Sequence, residues 1–221
     1  MNETIDLMLS SAWQLIAAMV KVSIPLTVIS FALALVLACI TAAARMSRFR
    51  LLRAIFGFYV WVFRGTPLLV QLFIVFFGLP KAGIVFDAWS AAIVTFSLNT
   101  GAYASEAVRA AVLSIPKGQF EAASSLGLTG GKLLRFVVAP QALRIALPTL
   151  TNDLIDLFKG TSLVSTITLL DVFMVAQQIT ARTYQPLILY VEVAILFLII
   201  VTALTWLQAY LEKRASRFIQ R

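Results

Sequence analysis

The chain has 221 residues, 61% of them hydrophobic and only 13% charged, with a formal net charge of +8. Soluble domains average nearer half apolar, and here the excess lies in long runs, so composition excludes a soluble domain and indicates an all-α integral membrane protein. With no histidine and the single Cys39, His-based triads, histidine metal ligands and internal disulfides are excluded, and no metal site is expected.

Residues 4–20 have the spacing of an amphipathic helix. Ile5, Met8, Leu9, Ala12, Trp13, Ile16 and Val20 share one face, with Glu3, Asp6, Ser10 and Gln14 opposite. Residues 1–21 are therefore expected to lie at the membrane surface, with Trp13 at headgroup level. Glu3 and Asp6 precede the first basic residue, Lys21, so a cleaved signal peptide is not expected.

Five apolar runs follow, at about 22–44, 55–78, 89–113, 145–168 and 186–208. Pro25 starts or kinks the first. Between the first and second lies RMSRFRLLR, with Arg45, Arg48, Arg50, Arg53 and no acid. A short loop of that charge belongs in the cytoplasm; because it abuts two spans, no nucleic-acid partner is expected. The second run contains Arg64, with Gly65 and Pro67 breaking helical hydrogen bonding just after it. The third contains Asn99, Tyr103, Glu106 and Arg109, the fourth Asn152, Asp153, Asp156 and Lys159, and the fifth Glu192.

The loop at 114–144 reads as two short helices. Pro116 suits a first helical turn. Ala122, Ala123 and Leu126 extend the helix and Gly127 stops it by turning left-handed. Thr129 caps a second helix that ends before Pro140. Glu121, Ala122 and Ala123 would present small side chains and one carboxylate to another protein's surface.

Charge sets the orientation. The segments 45–53, 117–144 and 213–221 each hold four Lys or Arg, whereas the loops between the other runs hold Lys81 and Arg182. Five spans with the N-terminus outside and the C-terminus inside satisfy that asymmetry, and 213–221 becomes a basic cytoplasmic tail.

EAASSLG at 121–127, followed by Pro140, resembles the EAA loop of the membrane subunits of bacterial ABC importers. That pattern is Glu-Ala-Ala, three residues, Gly, nine residues, then Ile-x-Leu-Pro. Glu121, Ala122, Ala123, Gly127 and Pro140 match it, while Val137 and Ala139 stand where Ile and Leu are commoner. FRGTPLLVQLF at 63–73, LNTGAYASEAVRAAVLSIPKGQFEAA at 98–123 and KGTSL at 159–163 are similar to the polar amino-acid branch, with Gly160 in place of a frequent Asp. QQITARTYQPLILYVEVA at 177–194 is similar to permeases for L-cystine.

The resemblance implies a transmembrane domain over 22–212, with 114–144 as a coupling helix that docks on an ABC ATPase dimer. It also implies a second permease copy or a related permease, an extracytoplasmic amino-acid-binding protein, and residence in the bacterial cytoplasmic membrane among its lipids. LGLTGGKLL fails as a phosphate loop: Leu126 stands at its first glycine and Leu133 at its hydroxyl. No cofactor is expected in this chain; ATP and Mg would sit on the partner. Charged groups inside a bilayer are costly, about 2.5–3.5 kcal/mol each, and tend to face protein or water. Arg64, Asn99, Tyr103, Glu106, Asp156, Lys159, Thr161 and Ser162 are the candidates for a solute pathway. The alternatives are an ion-coupled secondary transporter or channel subunit, which needs no EAA loop, and an intramembrane enzyme using Ser162 with Lys159, which is read as a helical i,i+3 spacing.

Overall fold

A computed structural model describes residues 2–216, with side chains described from 6 to 214. Glu3 and Ile5 of the N-terminal faces, and Arg217 and Arg221 of the tail, thus lie outside the described side chains. Every regular element among the described residues is helical. Helix α1 (Asn2–Ala18) passes through a π turn (Met19–Ser23) into α2 (Ile24–Met46). Then come α3 (Arg50–Gly65), α4 (Leu68–Phe73), α5 (Ala88–Leu113), α6 (Lys117–Ser125), α7 (Gly130–Leu133), α8 (Ala139–Gly160), α9 (Val172–Thr183) and α10 (Pro186–Ser216).

Among the described residues, three continuous helical stretches are long and apolar enough to cross a membrane: Asp6–Met46 (41 residues), Gly130–Ile167 (38 residues) and Pro186–Arg214 (29 residues). Counted as one span, the pair Arg50–Gly65 and Leu68–Ala82, bent by 109° at its break, brings the number to four. So the predicted second span is not one straight helix. Pro67 has no N–H to donate and restrains Thr66, so the chain turns there. Nor does the helix end near residue 21. The predicted apolar face of α1 points outward, with Leu9 and Trp13 more than 70% exposed, while Ser11, Leu15, Ala18 and Met19 pack inward. In a lipid environment the outward face is the apolar one, so moment alone does not say which side packs.

Helix α5 spans the predicted third run but is not among those apolar stretches. It does not need to be. It packs on α2, α3, α4 and α8 and buries Ala91, Ala92, Thr95, Ser97, Thr100, Gly101, Ala104 and Ser105. Small side chains let helix backbones approach closely where lipid supplies no hydrophobic drive. A Cβ on Gly101 would stand 3.1 Å from Leu37 Cβ, 3.2 Å from Tyr59 Oη and 3.3 Å from the Ala34 carbonyl.

Among the described residues, three apolar clusters hold the bundle. One joins Leu26, Leu72, Phe96, Leu157 and Val164. A second is built on Ala38, Ala104, Ala111, Ala142 and Ala146. The third, Leu15, Met19, Phe158, Val172 and Val193, ties α1 and α9 to α8 and α10. Inside the last region the Ser11 hydroxyl donates to Glu192 Oε2 at 2.6 Å. The run at 169–185 contains α9, whose first N–H groups, of Phe173 and Met174, donate to the buried Asp171 carboxylate.

Candidate functional site

Helix α6 sits where the loop pattern requires a helix. It ends as Gly127 takes φ +74°. The Gly127 N–H donates to the Ser124 carbonyl (2.9 Å), and the Leu128 N–H reaches back to Ala123 (3.0 Å). These bonds close the last carbonyls of the helix, and a left-handed residue is the geometry that permits them. Glu121 and Ala122 are exposed, but Ala123 faces the bundle and is 4% exposed. The outward surface is completed by Leu126, 80% exposed at the helix end. Leu126 was not among the residues expected on that surface; its position one residue before the stopping glycine was the available signal.

Thr129 precedes α7 in extended backbone, yet its hydroxyl makes no capping bond. The expected stop before Pro140 does not occur. A π turn at Leu134–Val138 leads into α8, with Pro140 in its first turn. The wider turn relieves the clash of a proline ring with the carbonyl four residues back.

The polar residues of the spans divide into two sets. The first is held by the protein itself, and Gln71, Asn99 and Tyr103 within it secure the break after α3. Pro67 leaves the Phe63 carbonyl without its helical donor. Gln71 Nε2 donates to it at 2.9 Å, and also to the Thr66 carbonyl (3.0 Å) and hydroxyl (2.8 Å). Asn99 Nδ2 bonds the same Phe63 carbonyl (3.2 Å) and Gln71 Oε1 (3.0 Å). Tyr103 Oη donates to the Arg64 carbonyl at 3.4 Å, and the Arg64 guanidinium lies over the Tyr103 ring, 5.2 Å from its centre. Thr161 is fully buried, its hydroxyl donating to Phe158 O at 2.7 Å. Glu106 pairs with Arg109 at 2.8 Å and with Arg45 of α2. No contact with Arg64 is made by that carboxylate among the described residues.

The second set is exposed. Asp156 Oδ1 and Lys159 Nζ pair at 2.7 Å, with their side chains 70% and 55% exposed. They line an open groove of about 630 Å³ with Asn152, Thr205, Gln208 and Glu212. Asp156 also borders a cavity of about 290 Å³ with Leu68, Asn99, Tyr103 and Asp153. Asp153 Oδ2 is buried with no hydrogen-bond partner among the described residues. Ser162 donates to the Lys159 carbonyl at 3.0 Å. The structure thus brings Asn99, Tyr103 and Asp156 to one cavity and adds Asp153, which its i,i+3 spacing from Asp156 could have revealed. Gln71 and the groove residues of α10 had no local signal.

The model of the family described as binding-protein-dependent transport system inner membrane component matches residues 34–217. The chain belongs to that family. Among curated relatives of this permease subunit is the L-cystine transport system permease protein TcyB of Bacillus subtilis (strain 168). It is 45% identical over 217 residues, covering 98% of this chain and 93% of the relative. The arginine transport system permease protein ArtQ of the same organism is 38% identical over 87% of this chain and 89% of its own. A crystal structure of an amino acid ABC transporter with histidines superposes at TM-score 0.87 and 30% identity, covering 94% of this chain and 96% of that one. The MetNI methionine ABC transporter in inward facing conformations gives 0.71 at 21% identity over 97% and 99%, which shows the shared fold. The permease family expected from the EAA resemblance and the all-helical membrane fold expected from the apolar runs are both confirmed.

Proposed function

We propose that this permease carries a polar amino acid, of the L-cystine type, inward across the bacterial cytoplasmic membrane. Two permease copies, or this chain and a related permease, would enclose the path, with five spans each, the N-terminus outside and the basic tail inside. Helix α6, through Glu121, Ala122 and Leu126, docks on an ATPase dimer that holds ATP and Mg. An extracytoplasmic binding protein delivers the solute. The near full-length likeness to a relative named for L-cystine supports the substrate class.

The observation that carries the pathway is the exposed Asp156–Lys159 pair on a helix long and apolar enough to cross the membrane. Two charges this open cannot rest against acyl chains; they face water or another protein surface. A zwitterion offers a carboxylate for Lys159 or Arg64 and an ammonium for Asp156. Asn99, Glu106 and Thr161 act one layer behind, because their polar atoms are held by the protein itself.

The test is L-cystine uptake in cells lacking other cystine importers, supplied with this permease, its ATPase and its binding protein. Asp156→Asn and Lys159→Gln should each abolish most uptake with normal insertion, and the double change should stay defective. Recovery in the double variant would mean that the pair only neutralises itself. Uptake that persists after the ATPase's phosphate-binding lysine is replaced would favour an ion-coupled transporter.

A further inference from the structure

We propose that the exposed turn at residues 48–55 is a binding surface for the phosphate headgroups of anionic phospholipids. All eight residues are exposed. The turn connects the end of α2, which terminates a candidate span, to the first turns of α3. Its side chains alternate between two chemistries. Arg48, Arg50 and Arg53 are cationic, while Phe49, Leu51, Leu52 and Ile55 are 39–73% exposed. From residue 45 to residue 86 the sequence contains no acid. Arg50 and Arg53 have no ion-pair partner among the described residues, and Arg48 only stacks over its neighbour Phe49, 5.3 Å from the ring centre.

The combination selects the occupant. Unpaired guanidiniums match phosphate oxygens in geometry and charge. Soluble phosphate would leave four large apolar side chains in water, whereas a phospholipid meets both needs, its headgroup at the arginines and its chains on the apolar surface. A second copy of this face is disfavoured because three like charges would be brought together. The apolar surface continues along α3 through Phe58 to Trp61, whose rings lie 5.8 Å apart. Trp61 is 72% exposed and sits about three turns on from Arg50, on the same face. It is therefore a built-in reporter.

The experiment uses the full chain in phosphatidylcholine vesicles carrying a minority of phosphatidylglycerol. Trp13, Trp89 and Trp206 are changed to Phe, leaving Trp61. Either lipid is supplied with brominated acyl chains, which quench indole fluorescence. Phosphatidylglycerol should quench about fivefold more effectively per molecule than phosphatidylcholine. R48Q/R50Q/R53Q should bring the two lipids level, and R48K/R50K/R53K should keep much of the preference. Equal quenching by both lipids in the arginine protein overturns the proposal, as does a preference that survives the glutamine changes. Quenching by neither lipid means that protein covers the face, and overturns it too. The phosphatidylglycerol retained by the four-tryptophan protein, counted by native mass spectrometry, gives a second reading: retention unchanged by the glutamine changes is the overturning result.

Discussion

Glu106 of α5 holds two guanidiniums at once, Arg109 one turn along its own helix and Arg45 at the end of α2. Only the second links two helices. Partly exposed pairs contribute about 0–1 kcal/mol each, so Arg109→Gln should cost under about 0.5 kcal/mol and Arg45→Gln about 1 kcal/mol. Thermal unfolding in detergent measures both. Equal losses would mean that the link to α2 contributes nothing of its own.

Gly101 should tolerate no side chain. A methyl there presses on Leu37 and on the Ala34 carbonyl, which cannot move aside as a flexible chain end would. Overpacking of this kind costs about 1–3 kcal/mol. Gly101→Ala should lower the melting temperature and Gly101→Val should lower it further. An unchanged Gly101→Val protein would show that α2 and α5 are less closely packed.

At the break after α3, Gln71 and Asn99 satisfy the carbonyl that Pro67 leaves open. Gln71→Leu should cost about 1 kcal/mol, the net worth of one hydrogen bond, because Asn99 still bonds the part-buried Phe63 carbonyl. Restoring a donor at residue 67 should recover part of it, because an N–H there can bond Phe63 directly. If Pro67→Ala in the Gln71→Leu background recovers nothing, the carbonyl is not the cause.

For α6, Leu126→Asn should reduce stimulated ATP hydrolysis and uptake while leaving the melting temperature unchanged, since its side chain touches little of its own chain. Gly127→Ala should act differently. It meets no neighbouring atom but must hold φ +74°, at a cost of about 1–2 kcal/mol. Measuring both readouts separates docking from folding.

Asp171, between the α8 and α10 stretches, caps α9 and is fully buried. Burial pushes its carboxyl up to about 6, against the partial opposition of its bonds from Met174 and Phe173. The unfolded chain ionises near the ordinary value of 3.8. The native state therefore binds the extra proton between the two, and this contribution is present below about pH 4 and lost as pH rises through about 6. Asp171→Asn keeps a capping oxygen and should flatten the decline in melting temperature over that window. Asp171→Ala should flatten the decline as well, and lie about 1 kcal/mol below Asp171→Asn at every pH because it also loses the cap. A decline of equal slope in the Asn variant would assign it to another group.

What neighbouring residues control was legible in the sequence. The apolar runs, the break at Gly65 and Pro67, the left-handed stop at Gly127 and the spacing of the EAA helix all depend on side chains or missing donors within a few positions. What depends on helix rotation was not. That Ala123 turns inward, that Asn99 serves a broken helix, that Glu106 takes Arg45, and that Gln208 and Glu212 share a groove with Asp156 follow from contacts across dozens of residues. Nor could periodicity alone orient α1, because lipid and protein interior are both apolar. The packed side was set by the small residues and by the Ser11–Glu192 hydrogen bond, which exists only once the two ends of the chain meet.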